Sequence, residues 1–295
     1  METAELLRKV RRLEIRSRHL VQDLFAGGSQ SVFKGRGVEF EEVRPYVPGD
    51  EVRDLDWNVT ARLGAPFVKR FVEEREITVV LVVDVSHSMR FGTAALEKRE
   101  LAAELCALLG FAAVRNNDRL GLLLAAEGVE HFVRPARGRT HLLRLLRDVL
   151  EHETQGRGTR LGAATRFLTR TLRRRSVMFW ISDFEDRLDV RDWRVLARRH
   201  EVTALALRDP RDEALPDAGW VLLEDLESGA QRLVDTGNAG VRRGYQERSR
   251  ARRRQLEQVL ARAQCPLLEL RTDRPYVPAL MRHFSRTARR RRGVA

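Results

Sequence analysis

Residues 77–92 read ITVVLVVDVSHSMRFG. An unbroken run of β-formers, with no polar residue on alternate positions, predicts a strand covered on both faces. The run ends at Asp84, and Ser86 and Ser88 follow at alternate positions. A strand of that kind belongs in a parallel sheet flanked by helices, and the downstream pattern agrees. A long helix is predicted over Ala94 to Arg115, then a buried strand over 119–126 (RLGLLLAA) and a shorter one near His131 to Arg134. Helices are predicted over Thr140 to Leu150 and Thr159 to Leu172, a buried strand over 176–183 (SVMFWISD), a helix over Val190 to Arg199 and a strand over 202–207 (VTALAL). Such alternation predicts a doubly wound α/β sheet.

Outward from this core the character changes. Upstream, Leu6, Leu7, Val10, Leu13, Leu20, Val21 and Leu24 recur at helical intervals and predict an amphipathic helix over residues 5–25, ended by Gly27-Gly28. Residues 29–75 carry turn signals at Pro48-Gly49-Asp50 and Leu63-Gly64-Ala65-Pro66, with short extended pieces between them, which predicts a small β-rich module. Downstream of Asp209-Pro210, WVLLED and QRLVDT form a predicted hairpin insertion near 219–236. A charged helix over about 240–263, a short strand at Leu267 to Leu270 and a last helix from Pro275 complete the chain. The expected organisation is residues 1–75 as helix plus module, 76–290 as the α/β domain and 286–295 as a frayed arginine-rich tail.

At 295 residues, with 43% hydrophobic and 33% charged residues, the chain suits a globular fold with a substantial core. No apolar run approaches the roughly 18 residues of a membrane helix, and the charged N-terminus lacks a signal-peptide centre, so a cytoplasmic protein is expected. Cys106 and Cys265 lie far apart in apolar surroundings and form no C-x-x-C pair, which predicts buried free thiols. The net charge is +13, and lysine occurs only at Lys9, Lys34, Lys69 and Lys98, so arginine supplies nearly all of the positive charge. A basic surface attracts acidic proteins, nucleic acid or anionic lipid without choosing among them.

In open α/β sheets ligands bind beyond the carboxyl ends of the strands. Three polar clusters fall there: Asp84-Val85-Ser86-His87-Ser88, Gly158-Thr159 at the start of a predicted helix, and Asp183 closing a strand. Taken singly they have plain structural readings as turn residues and a helix N-cap. Taken together, two carboxylates and three hydroxyls supply only oxygen donors, which is the set a hard divalent cation prefers. Two aspartates neutralise the dication and the hydroxyls add neutral ligands. A position left open to solvent accepts a carboxylate from elsewhere.

D-x-S-x-S followed by a threonine and a distant aspartate resembles the metal-ion-dependent adhesion site of von Willebrand factor A domains, matched here by Asp84, Ser86, Ser88, Thr159 and Asp183. The resemblance implies bound Mg2+, with Mn2+ or Ca2+ as alternatives. Upstream, Gly37, Glu39, Phe40, Arg44, Tyr46, Pro48, Gly49, Asp50, Arg53, Asp56, Trp57, Ala61 and Arg62 resemble the signature of a bacterial family catalogued as a domain of unknown function. That resemblance spans about residues 30–285. Relatives are commonly encoded beside MoxR-type AAA+ ATPases, which implies a chaperone-like role in complex maturation with such an ATPase and an unnamed client. Many relatives carry flanking membrane helices; none is read in these 295 residues, so membrane attachment is not expected. The signature segment itself reads either as a salt-linked module or as a docking surface anchored by Tyr46 and Trp57.

The expected function is therefore a metal-dependent protein-interaction module and not an enzyme. Two alternatives stand beside it. One is nucleic-acid binding through the arginine-rich helix and tail, although no nucleic-acid module is recognisable. The other is a metal-dependent phosphatase with Asp84 as nucleophile, weakened because Ser86 stands where a second acid is usual and no lysine lies near the later motifs in sequence. His87 and Glu185 with Asp186 are lesser candidates for the surroundings of the metal, and no P-loop or G-x-G-x-x-G stretch supports nucleotide binding.

Overall fold

A computed structural model describes residues 10–17, 20, 37–48, 50–51, 55–74, 77–154 and 158–292. The chain divides into two compact units, Phe33–Ile77 and a larger one made of Met1–Val32 with Thr78–Ala295.

In the smaller unit β1 (Gly37–Pro45) pairs antiparallel with β2 (Phe67–Glu74). The connection between them carries α2 (Trp57–Leu63), which follows the helix α1 at residues 10–17 in chain order. Asp56 caps α2 by accepting from the backbone N–H of Asn58 and Val59, and Gly64 ends it at φ +70°, a conformation that favours glycine. Arg44 grips both carboxylate oxygens of Asp50 at 2.8 and 2.7 Å. That fork is the salt link expected of a structural module, while Trp57 stands 66% exposed. Gly49, Arg53 and Asp54 lie outside the described residues, as does most of the helix expected over 5–25.

The larger unit is built on a six-stranded sheet in the order β10-β7-β6-β3-β4-β5. Its strands are β3 (Thr78–Asp84), β4 (Arg119–Ala125), β5 (Val129–Ala136), β6 (Val177–Ser182), β7 (Glu201–Arg208) and β10 (Leu267–Arg271). All neighbours run parallel except β5, which returns antiparallel on β4. β3 therefore sits inside the sheet, which is why its sequence is apolar on both faces.

Helices cover both faces. α3 (Lys98–Arg115) is buried almost all round from Leu101 to Ala113 and packs against α4 (Arg139–Glu151) as well as the sheet. This explains its lack of a polar face. Leu161, Ala164 and Leu168 of α5 (Leu161–Thr171), Trp193 and Leu196 of α6 (Val190–Arg199), and Leu256 and Leu260 of α8 (Ala239–Arg262) share a second core with Val80, Val82, Met178 and Trp180. The short α7 (Pro210–Glu213), the hairpin of β8 (Trp220–Glu224) and β9 (Gln231–Asp235), and the terminal α9 (Val277–Arg292) complete the order. Cys106 and Cys265 are buried free thiols.

Three local differences from the sequence reading matter. The helix expected from Ala94 starts at Lys98, and the one expected from Thr159 starts at Leu161, so Thr159 is not its N-cap. α9 continues through the arginine run that was expected to fray, as far as Arg292.

A candidate metal centre at the carboxyl edge of the sheet

Parallel register brings the tips of three neighbouring strands together. Val83 pairs with Ile181, so Asp84 at the end of β3 comes level with Ser182 at the end of β6. Beyond β3 the chain leaves the sheet at Val85, whose N–H bonds to the Ala125 carbonyl at 2.8 Å, and then forms a single 3-10 turn at His87–Arg90. Asp84 shapes this turn: its Oδ1 accepts from the Ser86 N–H at 2.9 Å and its Oδ2 accepts from the Ser182 hydroxyl at 2.5 Å. The Ser86 and Ser88 hydroxyls then lie 3.0 Å apart. Asp84 is 1% exposed. Burial first, and then the neighbouring Asp183, raise its carboxyl to about 7, against the bonds from Ser182 and Ser86 that lower it.

Asp183 follows β6 directly. The next residue, Phe184, has φ +54°, a left-handed conformation uncommon for a bulky residue. It is held by its N–H bond to Ser182 Oγ at 2.8 Å and by packing of its ring against Trp193. The turn directs the Asp183 carboxylate onto Lys98, whose Nζ lies 3.0 Å from Asp183 Oδ2 and 2.9 Å from Asp212 Oδ2. Lys98 is 2% exposed. Burial alone lowers an ammonium's pKa, but Asp183 and Asp212 outweigh it and hold Lys98 above its ordinary value.

Near Thr159, the Thr154 hydroxyl donates to the Val85 carbonyl beyond β3, and the Arg160 N–H bonds to the Ala126 carbonyl beyond β4 at 2.7 Å. Asp186, from the loop after β6, caps α5 by accepting from the Leu161 N–H at 2.8 Å. The Thr159 hydroxyl itself donates to Glu227 Oε1, a residue of the β8–β9 turn.

Of the five sequence-derived residues, Asp84, Ser86 and Ser88 are joined by hydrogen bonds, and Asp183 lies close enough to raise the Asp84 pKa. Thr159 is brought to the same edge of the sheet but bonds to Glu227. The sequence reading missed Lys98, Ser182, Asp209, Asp212 and Glu227. Asp209, fully buried at the end of β7, accepts from the N–H and hydroxyl of Thr93 and from the Thr272 hydroxyl, and so anchors the loop between the 3-10 turn and α3. A signal for Lys98 was available: it is the one lysine downstream of Lys69 in a chain that uses arginine elsewhere.

The donor set fits a hard cation in its chemistry. The 3.0 Å between the two serine hydroxyls equals the edge of an octahedron with bonds of about 2.1 Å, which is roughly 3.0 Å.

The sequence profile of the family described as "Protein of unknown function DUF58" matches residues 42–255. Uncharacterised proteins of Mycobacterium tuberculosis and Mycobacterium bovis are each 36% identical to this chain over 297 aligned positions, covering 100% of it and 92% of the relative. Among solved structures, the conserved hypothetical protein BatB from Bacteroides thetaiotaomicron aligns with 72% of this chain and 99% of its own, at 15% identity and a TM-score of 0.43. The SpRpn10 von Willebrand factor A domain aligns with 71% of this chain and 95% of its own, at 11% identity and a TM-score of 0.42. The fold is a doubly wound, mostly parallel α/β sheet with its antiparallel strand at one edge. With its profile matched over most of the chain and relatives aligned along all of it, this protein belongs to the DUF58 family.

Proposed function

We propose that this protein is an interaction module that uses a metal-ion-dependent adhesion site to bind an acidic group on a partner. The partner in this reading is a MoxR-type AAA+ ATPase, acting in the cytoplasm in chaperone-like maturation of a client complex. The observation that carries the reading is the convergence of the Asp84 carboxylate with the Ser86 and Ser88 hydroxyls at one strand end, with Asp183 beside them. Asp84, Ser86 and Ser88 would hold Mg2+, for which Mn2+ or Ca2+ could stand in, and Thr159 and Asp183 would complete the set directly or through water. When bound, the cation supplies a Lewis-acidic position for a partner's carboxylate. Lys98 already balances one oxygen of Asp183, so the Asp84 turn would supply the main anionic contact.

Asp84 has both oxygens engaged and is buried, which suits a fixed ligand better than a nucleophile presented to substrate. Lys98, remote from Asp183 in sequence, does stand beside it in the fold, but it is bound to two carboxylates. No catalytic step is assigned to this site. The nucleic-acid alternative draws on the arginines of α8, yet Arg252 pairs with Glu185 at 3.0 Å and Arg253 with Glu257 and Glu269. Part of that face is thereby committed within the same unit. Among the described residues no helix is long and apolar enough to cross a membrane.

The test is co-purification of partners by the wild type and by Asp84→Ala, each with Mg2+ and with chelator, together with calorimetric titration of Mg2+. The expected result is a partner recovered only by the wild type with metal, no Mg2+ binding by Asp84→Ala, and a smaller loss of affinity in Ser88→Ala, which removes a neutral ligand. Equal recovery under all four conditions would refute the proposal.

A further inference from the structure

The β8–β9 hairpin places an acid on Thr159, one of the five sequence-derived residues, from within the chain. Its strands pair from Trp220 opposite Asp235 to Glu224 opposite Gln231. The connecting turn is organised by Asp225, whose Oδ1 accepts from the N–H of Glu227 at 2.9 Å and of Ser228 at 3.0 Å. Glu227 is thereby projected off the ribbon. It is half-buried while its neighbours in the turn are exposed. Its Oε1 accepts from the Thr159 hydroxyl, and its Oε2 lies 3.8 Å from the point where a β-carbon on Gly158 would stand. Gly158 has φ +111° and no side chain, so the carboxylate rests over bare backbone.

The two ends of the ribbon are held differently. At its root Thr236 is fully buried, bonds to the Gly219 carbonyl through both N–H and hydroxyl at 2.7 Å, and accepts from the Ala218 N–H at 3.1 Å. Along its length Trp220, Leu222 and Leu233 share one face and are each more than 60% exposed, so that face is not packed on the core. Among the described residues Glu227 is the hairpin-turn residue hydrogen-bonded to the α5 approach. A ribbon with a fixed root, an unpacked face and, among the described residues, a hydroxyl-to-carboxylate bond holding its tip can lift at that end.

We infer that Glu227 is the resident acid of this centre: it occupies the carboxylate-binding position at Gly158–Thr159, and a partner's acidic side chain must displace it. The inference rests on the reading of Asp84, Ser86 and Ser88 as a divalent-cation site. It also specifies the ligand class, a carboxylate presented from a tight turn and arriving over Gly158.

The experiment loads Mn2+ onto the wild type, Glu227→Gln, Glu227→Ala and Asp84→Ala, and adds acetate as the acidic probe. The water-proton relaxation of the bound Mn2+ is measured, since this reports metal-bound water. In the wild type acetate should leave the relaxation unchanged. In both Glu227 variants acetate should displace a water and remove about a third to a half of the enhancement, as expected when one of two or three waters on an octahedral ion is lost. Hydrogen exchange of residues 220–235 should quicken in the variants without metal. Acetate acting equally on wild type and variants overturns the inference alone. Weaker Mn2+ binding in the variants with no gain in acetate response also overturns it, and leaves Glu227 as a group that merely orients Thr159. Failure of the wild type to bind Mn2+, or binding unaffected by Asp84→Ala, overturns the cation reading and this inference with it.

Discussion

Replacing Lys98 by methionine tests how the candidate centre is held together. Methionine keeps the unbranched shape and removes the charge, leaving Asp183 and Asp212 facing each other without the ammonium that lies 3.0 and 2.9 Å from them. At 3 Å and an effective dielectric near 20, each pair is worth roughly 5 kcal/mol of attraction before desolvation is counted. Much of that is offset by the cost of burying the charges. Removing one partner of a buried pair is nonetheless expensive, about 3–5 kcal/mol, because the remaining charge stays buried. Against a typical domain stability of about 5–15 kcal/mol the loss should be plain in urea titration. In chelator, Lys98→Met is expected to unfold at much lower urea than the wild type. If a dication binds beside Asp183, added Mg2+ should stabilise the variant more than the wild type, since it becomes the remaining counter-charge; at a hundredfold excess over Kd the gain is about 2.7 kcal/mol. Lys98→Arg should not restore the wild type, because a planar fork does not fit a position made for a point charge. A loss below about 1 kcal/mol would refute the reasoning, since even a single buried pair broken on one side is costlier than that.

Other perturbations probe the frame around the site. Trp193 is fully buried, its ring centroid 4.6 Å from that of Trp180, and it also backs the strained Phe184; Trp193→Ala should cost about 3–5 kcal/mol in urea unfolding and weaken Mg2+ binding by loosening the turn that carries Asp183. Gly92 lies in the loop between the 3-10 turn and α3, where an added β-carbon would come within 2.6 Å of the Glu97 Cα and 2.9 Å of the Leu96 carbonyl. Gly92→Ala must therefore move backbone, and should lower stability by about 1–3 kcal/mol, read as a drop in the urea midpoint. His200 is buried, and burial followed by Arg199 and Arg175 lowers its pKa below the ordinary imidazole value. The unfolded chain takes up a proton near pH 6.5 that the folded chain refuses until lower pH, so stability is complete above that value and falls as the solution is acidified through it. His200→Asn should flatten the fall of the urea midpoint on acidification below about pH 6.5, and an unchanged slope would show that this imidazole is not the cause.

The sheet was legible because its strands are interior. β3, β4, β6 and β7 are apolar on both faces for want of any solvent-facing side, and that signal survives without knowledge of neighbours. The Asp84 turn was legible for a related reason: its donors are close in sequence, so their spacing is already their geometry. What escaped notice is what the crossovers bring in from afar. Lys98 reaches Asp183 across 85 positions, and Thr159 meets Glu227 across 68; nothing in either local sequence announces the other end. Thr159 read as a helix cap because a hydroxyl after glycine ordinarily is one, yet Asp186 from another loop caps that helix. Relieved of capping, the Thr159 hydroxyl donates to Glu227 at the edge of the sheet. There the chain gathers Asp84, Asp183 and Asp209 at the ends of β3, β6 and β7. Three buried carboxylates on adjacent strands are tolerable only with compensation. Asp209 is satisfied by hydroxyl and backbone donors, and Asp183 by an ammonium. Asp84 has only neutral donors and a raised pKa, so of the three it is the carboxylate with most to gain from an added cation.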